Sequence, residues 1–454
     1  MSGPTPDSAE ARSPIENHAQ LISYFTEGFK PKAEWRIGTE HEKFPFYKDG
    51  LGPVPYEGEN GIRALLEGLR DVYGWSGVYE GDNIIALADP HSLANISLEP
   101  GGQFELSGAP LGSVPETCHE ISEHLKQVKI IGDQLGIGFL GLGASPVWTR
   151  AETPVMPKGR YKIMAPYMDK VGSMGRDMMF RTCTVQVNLD YGSEADMVKK
   201  LRTSIALQPL ATALFANSPF LEGKPNGYQS FRSHVWTDTD NARSGMTPFV
   251  FEDGMGFERY VDYALDVPMY FVMRDGLYVN VAGQSFRKFL DGNLPQLPGE
   301  KPTLKDWADH LTTIFPEVRL KKYLEMRGAD SGLHNKLCAL PAFWVGVLYD
   351  QDALDAAWDL LRHATAEQRQ SMRNQVAAQG LKTAFMGRSL HEWAGTILEI
   401  SRQGLKARGK NEQKFLDVLD EEVRRCQTQS DVLLGKYNGA WGGDISRVFQ
   451  DSAY

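Results

Sequence analysis

Apolar residues recur along this chain with two periods, and the switches between them outline its elements. In "RTCTVQVNLDY", residues 181–191, Cys183, Val185, Val187, Leu189 and Tyr191 alternate with Thr182, Thr184, Gln186, Asn188 and Asp190. A period of two belongs to a strand with one face in a core. Strand patterns also run through "RIGTEHEKFPF" at 36–46, "GVYEGDNIIALADPHSLANISLEPGGQFELSGAP", residues 138–145, "VPMYFVMRDGLYVN" and "RLKKYLEMRGAD". Helical spacing marks "IENHAQLISYFTEGF", announced by Ser13, Pro14 and Glu16, then "NGIRALLEGLRDVY", "SVPETCHEISEHLKQVKIIGDQLG", 160–171 and 194–216. From about residue 334 nearly everything reads as helix. Strands clustered without regular strand-helix alternation predict an α+β fold rather than a doubly wound sheet. No internal period of roughly 20–50 residues recurs, which argues against a solenoid or propeller. Residues 1–13, "MSGPTPDSAEARS", read as a flexible tail before a single domain spanning 14–454.

Composition changes that picture little. Hydrophobic residues make up 42% and charged residues 23% of the chain, an ordinary globular balance. A net charge of -10 and the lack of any dense Lys/Arg run argue against nucleic-acid and membrane-surface partners. The longest apolar run, "LCALPAFWVGVLY", is shorter than the roughly 20 residues that span a bilayer. Four cysteines, Cys118, Cys183, Cys338 and Cys426, lack C-x-x-C spacing, which argues against a zinc site and a secreted disulfide framework. The first twenty residues hold one arginine and three acids, unlike a targeting peptide, so a cytoplasmic bacterial protein is expected.

Two glycine motifs carry no nucleotide site. "GIGFLG", residues 136–141, follows a helical pattern and leads into a strand, the reverse of the dinucleotide arrangement. "GLKARGKN", residues 404–411, puts Asn411 where a phosphate loop needs a hydroxyl and follows a helix where a strand is required.

The acids are more informative. On a strand, Glu40 and Glu42 share a face while Thr39, His41 and Lys43 take the other, so the two carboxylates either sit in solvent or have a cation between them. Glu99 and Glu105 flank a Pro100-Gly101-Gly102 turn that can bring two strand ends together. Gln186 lies on the polar face of the most complete alternation. Glu325 and Arg327 again share a face, offering an acid to a cation and a guanidinium to a phosphate or carboxylate, or simply each other. In "FRSHVWTDTDNARSG", Arg232, Asp238, Asp240 and Arg243 crowd a turn-rich loop beside Trp236. Oxygen-rich strands with nearby arginines suit divalent cations and phosphoryl transfer.

The blocks "GTEHEKF", "SLEPGGQFELSGAP", "MMFRTCTVQVNLDY", "ANSPF", "RSHVWTDTD", "YLEMRGAD" and "LCALPAFWVG", in this order, resemble the plant and proteobacterial type of glutamate-cysteine ligase, within the glutamine-synthetase-like carboxylate-amine ligases. The resemblance implies an antiparallel sheet curved into a funnel and surrounded by helices. It implies ATP as co-substrate, an acyl phosphate on the γ-carboxylate of glutamate, attack by the cysteine amine, and γ-glutamylcysteine as product, the first step of glutathione biosynthesis. It further implies two or three Mg2+ ions, on Glu40, Glu42, Glu99, Glu105, Gln186 and Glu325. Arg327 then contacts the transferring phosphate, Arg232 and Arg243 hold substrate carboxylate, and Asp238 or Asp240 orients the cysteine amine. No redox switch is expected, with Cys183 and Cys338 as core residues. Rival readings are a γ-glutamyl ligase using a different amine, a non-catalytic metal- or carbohydrate-binding scaffold, and a glycoside hydrolase, which needs only two acids.

Overall fold

A computed structural model describes residues 12–454. The expected tail over 1–13 therefore lies almost wholly outside the described residues. Nine strands build the main sheet: β1 (Ile37–Tyr47), β2 (Ser76–Glu80), β3 (Asn83–Ala88), β4 (Asn95–Leu98), β5 (Phe104–Ser107), β6 (Ile137–Leu140), β7 (Thr184–Leu189), β8 (Val318–Leu320) and β9 (Leu324–Asp330). They run in the order β8-β9-β7-β1-β5-β4-β3-β2, with β6 paired to the second half of β1, and all pairings are antiparallel. The helices used below are α1 (His18–Thr26), α2 (Ile62–Tyr73), α3 (Val114–Leu135), α4 (Gly159–Val171), α5 (Gly175–Arg181), α6 (Glu194–Leu214), α7 (His334–Leu348) and α8 (Leu390–Arg408). The architecture is α+β, a large antiparallel sheet with helices around it.

Period-two alternation decides which face each strand buries. Val185, Val187, Leu189, Leu324, Met326 and Ala329 point into a core shared with α6 and α7. Further along the sheet, Ile84, Leu87, Ile96, Leu98, Phe104 and Leu106 pack with Leu65, Leu66 and Leu69 of α2 and Val128 and Ile131 of α3. On the helix side of β1, His41 and Lys43 are also buried; Lys43 Nζ donates to Phe104 O at 3.1 Å and lies 2.9 Å from His124 Nε2 of α3. The opposite face of β1 is left for Glu40 and Glu42.

Both discarded glycine motifs fall at helix ends. Gly136 and Gly409 end α3 and α8 in the left-handed conformation, at φ 69° in each case, where a glycine avoids the Cβ clash. Three element boundaries move. The first helix starts at His18 because Asn17 and Gln20 form a capping box, while Pro14 bridges to Thr303. Residues 175–181 form α5, so the strand pattern read over 181–191 starts at Thr184. β6 stops at Leu140, beyond which Gly141 N donates to Ser452 O at 2.9 Å.

Candidate active site

Strand register gathers the acids. Glu42 stands opposite Glu105 across the β1/β5 ladder, Glu40 opposite Gln186 across β1/β7, and Glu325 opposite Asn188 across β9/β7. Cross-strand partners share a face. The turn that brings in Glu99 depends on glycine: a Cβ on Gly101 would meet Phe180 O at 2.4 Å, and Gly102 has φ +87°. Gln103 fastens the turn, accepting from Gly101 N at 2.8 Å and donating to Met179 O and Thr182 O at 3.1 and 3.0 Å. A β-bulge between Met326 and Ala329 interrupts β9 just where Arg327 leaves the ladder.

Glu40, Glu42, Glu99, Glu105, Gln186, Arg232 and Arg327 line one cleft of about 830 Å3, together with Arg160, Thr184, Trp236, Phe315 and Arg319. A smaller cavity of about 310 Å3 shares Arg232, Trp236, Phe315 and Arg327 and adds Glu317 and Arg373. Glu325, fully buried, forms the floor beside Arg327.

Charge is handled differently around the cleft. Burial pushes the Glu42 carboxyl well above the usual carboxylate range, Glu99 and Glu105 push it further, and Arg232 and the Thr184 N–H, 2.9 Å away, pull back. Burial, Glu99 and Glu40 likewise push Glu105 up to about 7, against a 2.6 Å hydrogen bond from Ser97 Oγ. Glu325 is the reverse. Burial would raise its carboxyl, but Arg319, Lys321 and Arg327 hold it well below the usual range. Arg319 Nη2 donates to both Glu325 oxygens at 2.7 and 2.9 Å, and Lys321 Nζ lies 3.1 Å away. Arg327 pairs with Glu325 and donates to Gln186 Oε1 at 3.0 Å. Arg232 is buried and donates to Arg327 O at 2.9 Å. Its guanidinium thereby fixes the backbone of the strand that presents Arg327.

The loop residues go elsewhere. Arg243 is fully buried, pairs with Asp240 at 2.6 Å, donates to Thr313 O at 3.0 Å and stacks 3.8 Å over the Tyr270 ring. Asp238 accepts from Ser173 N and Oγ at 3.1 and 2.5 Å. None of Arg243, Asp240 and Asp238 lines the cleft. Arg160, Arg319, Lys321 and Arg373 were not singled out from the sequence. For Arg319 and Lys321 the signal existed, since they stand two apart in the stretch "RLKKYLEMRGAD" as Glu325 and Arg327 do; Arg160 and Arg373 lie on helices and left none.

The residues fit a hard cation. Carboxylate and amide oxygens converge, two of the carboxyls are raised by burial and then by neighbouring acids, and the buried Asn188 Oδ1 has no hydrogen-bond partner among the described residues. With Arg327 and Arg232 on the same cleft, metal-assisted phosphoryl transfer is the matching chemistry.

The family model for glutamate-cysteine ligase family 2 matches residues 36–451. The chain belongs to that family. Its members are ATP-dependent ligases that form γ-glutamylcysteine, the first step of glutathione synthesis. A glutamate-cysteine ligase of Nicotiana tabacum, named as chloroplastic, is 56% identical over 453 residues, covering 100% of this chain and 86% of its own length. Ligase B of Oryza sativa subsp. japonica, also named as chloroplastic, is 55% identical, covering 100% of this chain and 90% of its own. Among solved structures, glutamate-cysteine ligase of Francisella tularensis in complex with AMP superposes with a TM-score of 0.55 at 14% identity, over 93% of this chain and 88% of that one, a likeness of fold. This chain is accordingly an enzyme, a carboxylate-amine ligase acting on glutamate and cysteine.

These relatives correct one expectation. The bacterial cytoplasmic location read from the leader does not stand, because the plant enzymes that match the full chain are named as chloroplastic. The acidity of the first twenty residues was the wrong guide, since it describes only where this sequence starts. Cys183 and Cys338, expected as core residues, are both buried; Cys183 is free, and Cys338 is also disulfide-bonded to Cys118, 220 residues away.

Proposed function

We propose that residues 14–454 act as one catalytic unit whose cleft joins glutamate to cysteine through an acyl phosphate, with Mg2+ held by Glu40, Glu42, Glu99, Glu105, Gln186 and Glu325. The observation that carries the reading is the convergence of four acids, Glu40 and Glu105 among them buried, and four arginines on one cleft of about 830 Å3. Magnesium there would neutralise the phosphates of ATP and the charge that develops on transfer. Arg327, its guanidinium aimed by Glu325 and Gln186, meets the transferring phosphoryl group. Holding Glu325 below the carboxylate range keeps it charged, so the aim of Arg327 persists at any working pH. Arg232 reaches both cavities and takes the α-carboxylate of glutamate, a bidentate task suited to a guanidinium. Arg373, which also lines the smaller cavity, is a better second cation than Arg243. Trp236 and Phe315 flank Arg327 and keep water from the acyl phosphate, whose hydrolysis would waste ATP. Asp238 and Asp240 were candidates for orienting the cysteine amine; their ties to Ser173 and Arg243 favour a supporting role for the loop instead.

The test is ADP release from the full chain with ATP and Mg2+, comparing glutamate alone, cysteine alone and both, with γ-glutamylcysteine quantified. Strong synergy with both substrates is expected. Turnover with glutamate and indifference to cysteine, followed by response to another amine, would replace the amine and keep the cleft.

A further inference from the structure

Away from the cleft, where α3 packs on α7, three side chains suited to a softer metal lie together beside Ser122. Cys118 and Cys338 have Cα atoms 5.2 Å apart and are joined as a disulfide. His334 precedes Cys338 by one helical turn, and its Nε2 lies 3.8 Å from Cys118 Sγ and 3.7 Å from Cys338 Sγ. Ser122, one turn after Cys118, places Oγ 2.7 Å from the same nitrogen. Both i, i+4 pairs face each other across the helix contact.

We propose that the reduced form of this cluster is a Zn2+ site with Cys118, His334 and Cys338 as ligands. With Zn–S near 2.3 Å and Zn–N near 2.0–2.1 Å, tetrahedral geometry separates a sulfur from a nitrogen ligand by about 3.6 Å. His334 Nε2 already stands at that separation from both sulfurs. Only the sulfurs must part, to about 3.8 Å, which side-chain rotation supplies. His334 is exposed and Cys118 half-buried, so the metal has a route in and solvent fills the fourth position beside Ser122.

The two states exclude each other. An external dithiol reduces the bridge: its two thiols become a disulfide as two electrons and two protons convert the Cys118–Cys338 bond into two thiols. Zn2+ then displaces those two protons as it binds both sulfurs and neutral His334. The two thiolates balance the charge of the ion, so disulfide and metal forms are both neutral, as the partly apolar setting requires.

The full chain, reduced with a phosphine, freed of it under nitrogen and held in excess Mg2+ to occupy oxygen sites, is titrated with Co2+. Reduced protein is expected to take up one equivalent with a thiolate-to-cobalt charge-transfer band that one equivalent of Zn2+ abolishes; oxidised protein gives no band. Cys118→Ser should remove it, and His334→Ala should weaken Co2+ binding at least tenfold. Zn2+ should also slow re-formation of the disulfide by oxidised glutathione at least tenfold. Absence of a band in reduced wild-type protein, or a band that survives Cys118→Ser or ignores His334→Ala, overturns the site; circular dichroism of each variant separates these results from misfolding.

Discussion

Glu42 and Glu105 on one wall of the cleft, and Glu325 on the other, are all carboxylates on neighbouring strands of one sheet, yet their surroundings treat them oppositely. Glu42 and Glu105 face each other across a ladder, both raised by burial and by Glu99, with Glu105 pushing Glu42 further. Glu325, no less buried, is gripped by Arg319, Lys321 and Arg327 and held strongly acidic. The first wall stores electrostatic strain that a cation would relieve. The second is already balanced by side-chain cations, so Glu325 can aim Arg327 while sharing an ion, and the surplus positive charge is left for phosphate. The difference teaches that a cluster of acids is not one thing: register decides whether a carboxylate meets another carboxylate or a guanidinium, and that decides whether it depends on a cation for relief or also aims an arginine.

The largest expected effect breaks the first wall. Glu42→Gln should lower turnover at least about 10³-fold, since charge that acts in the transition state is lost while volume is kept. ADP release at limiting Mg2+, with circular dichroism to verify the fold, checks it; a wild-type rate would remove Glu42 from the mechanism. Next comes Arg243→Met, at about 3 kcal/mol of stability, because Asp240 is left buried without its guanidinium. Thermal unfolding should reveal that loss while KM for glutamate stays within about twofold. A KM rise of more than tenfold without destabilisation would return Arg243 to substrate binding.

On the second wall, Arg327→Lys keeps the charge and loses the fork that engages Glu325 and Gln186 together. A fall in kcat of about 10²-fold with KM for ATP nearly unchanged is expected from steady-state kinetics. Equal losses in both parameters would make Arg327 a ground-state contact.

How much of this was legible in the sequence depends on the range of the interaction. Glu40, Glu42, Gln186, Glu325 and Arg327 were placed correctly on faces because period two is local, and the Pro100-Gly101-Gly102 turn announced the approach of Glu99 to Glu105. Register was not legible: nothing in "GTEHEKF" says that Glu42 will meet Glu105 and Glu40 will meet Gln186. Arg243 and Asp240 were misread for another reason. A charged, turn-rich loop reads as exposed, and only tertiary packing shows that this one folds inward onto Thr313 and Tyr270. The Cys118–Cys338 bridge joins two helices 220 residues apart, a distance at which spacing carries no information.

The smallest effect is also the sharpest for the comparison. Glu105 titrates at about 7 when folded and near 4.5 when unfolded. The folded state therefore holds the extra proton between those values, so stability is greatest below about 4.5 and falls as pH rises towards 7. Gln in its place cannot ionise, so Glu105→Gln should leave stability unchanged near pH 4.5 and raise it by about 2 kcal/mol above pH 7 in metal-free protein. Mg2+ should erase the gain, because only the wild-type carboxylate is rewarded by the cation and binding stabilises the folded state by mass action. Urea unfolding across pH, with chelator and with Mg2+, reads both parts. Arg319→Met on the opposite wall must give the contrary sign, destabilising the fold above pH 5 by exposing Glu325 to burial without its bidentate partner. If both variants stabilise, or both destabilise, at pH 8 in chelator, the two walls do not differ in the way their pKa shifts indicate.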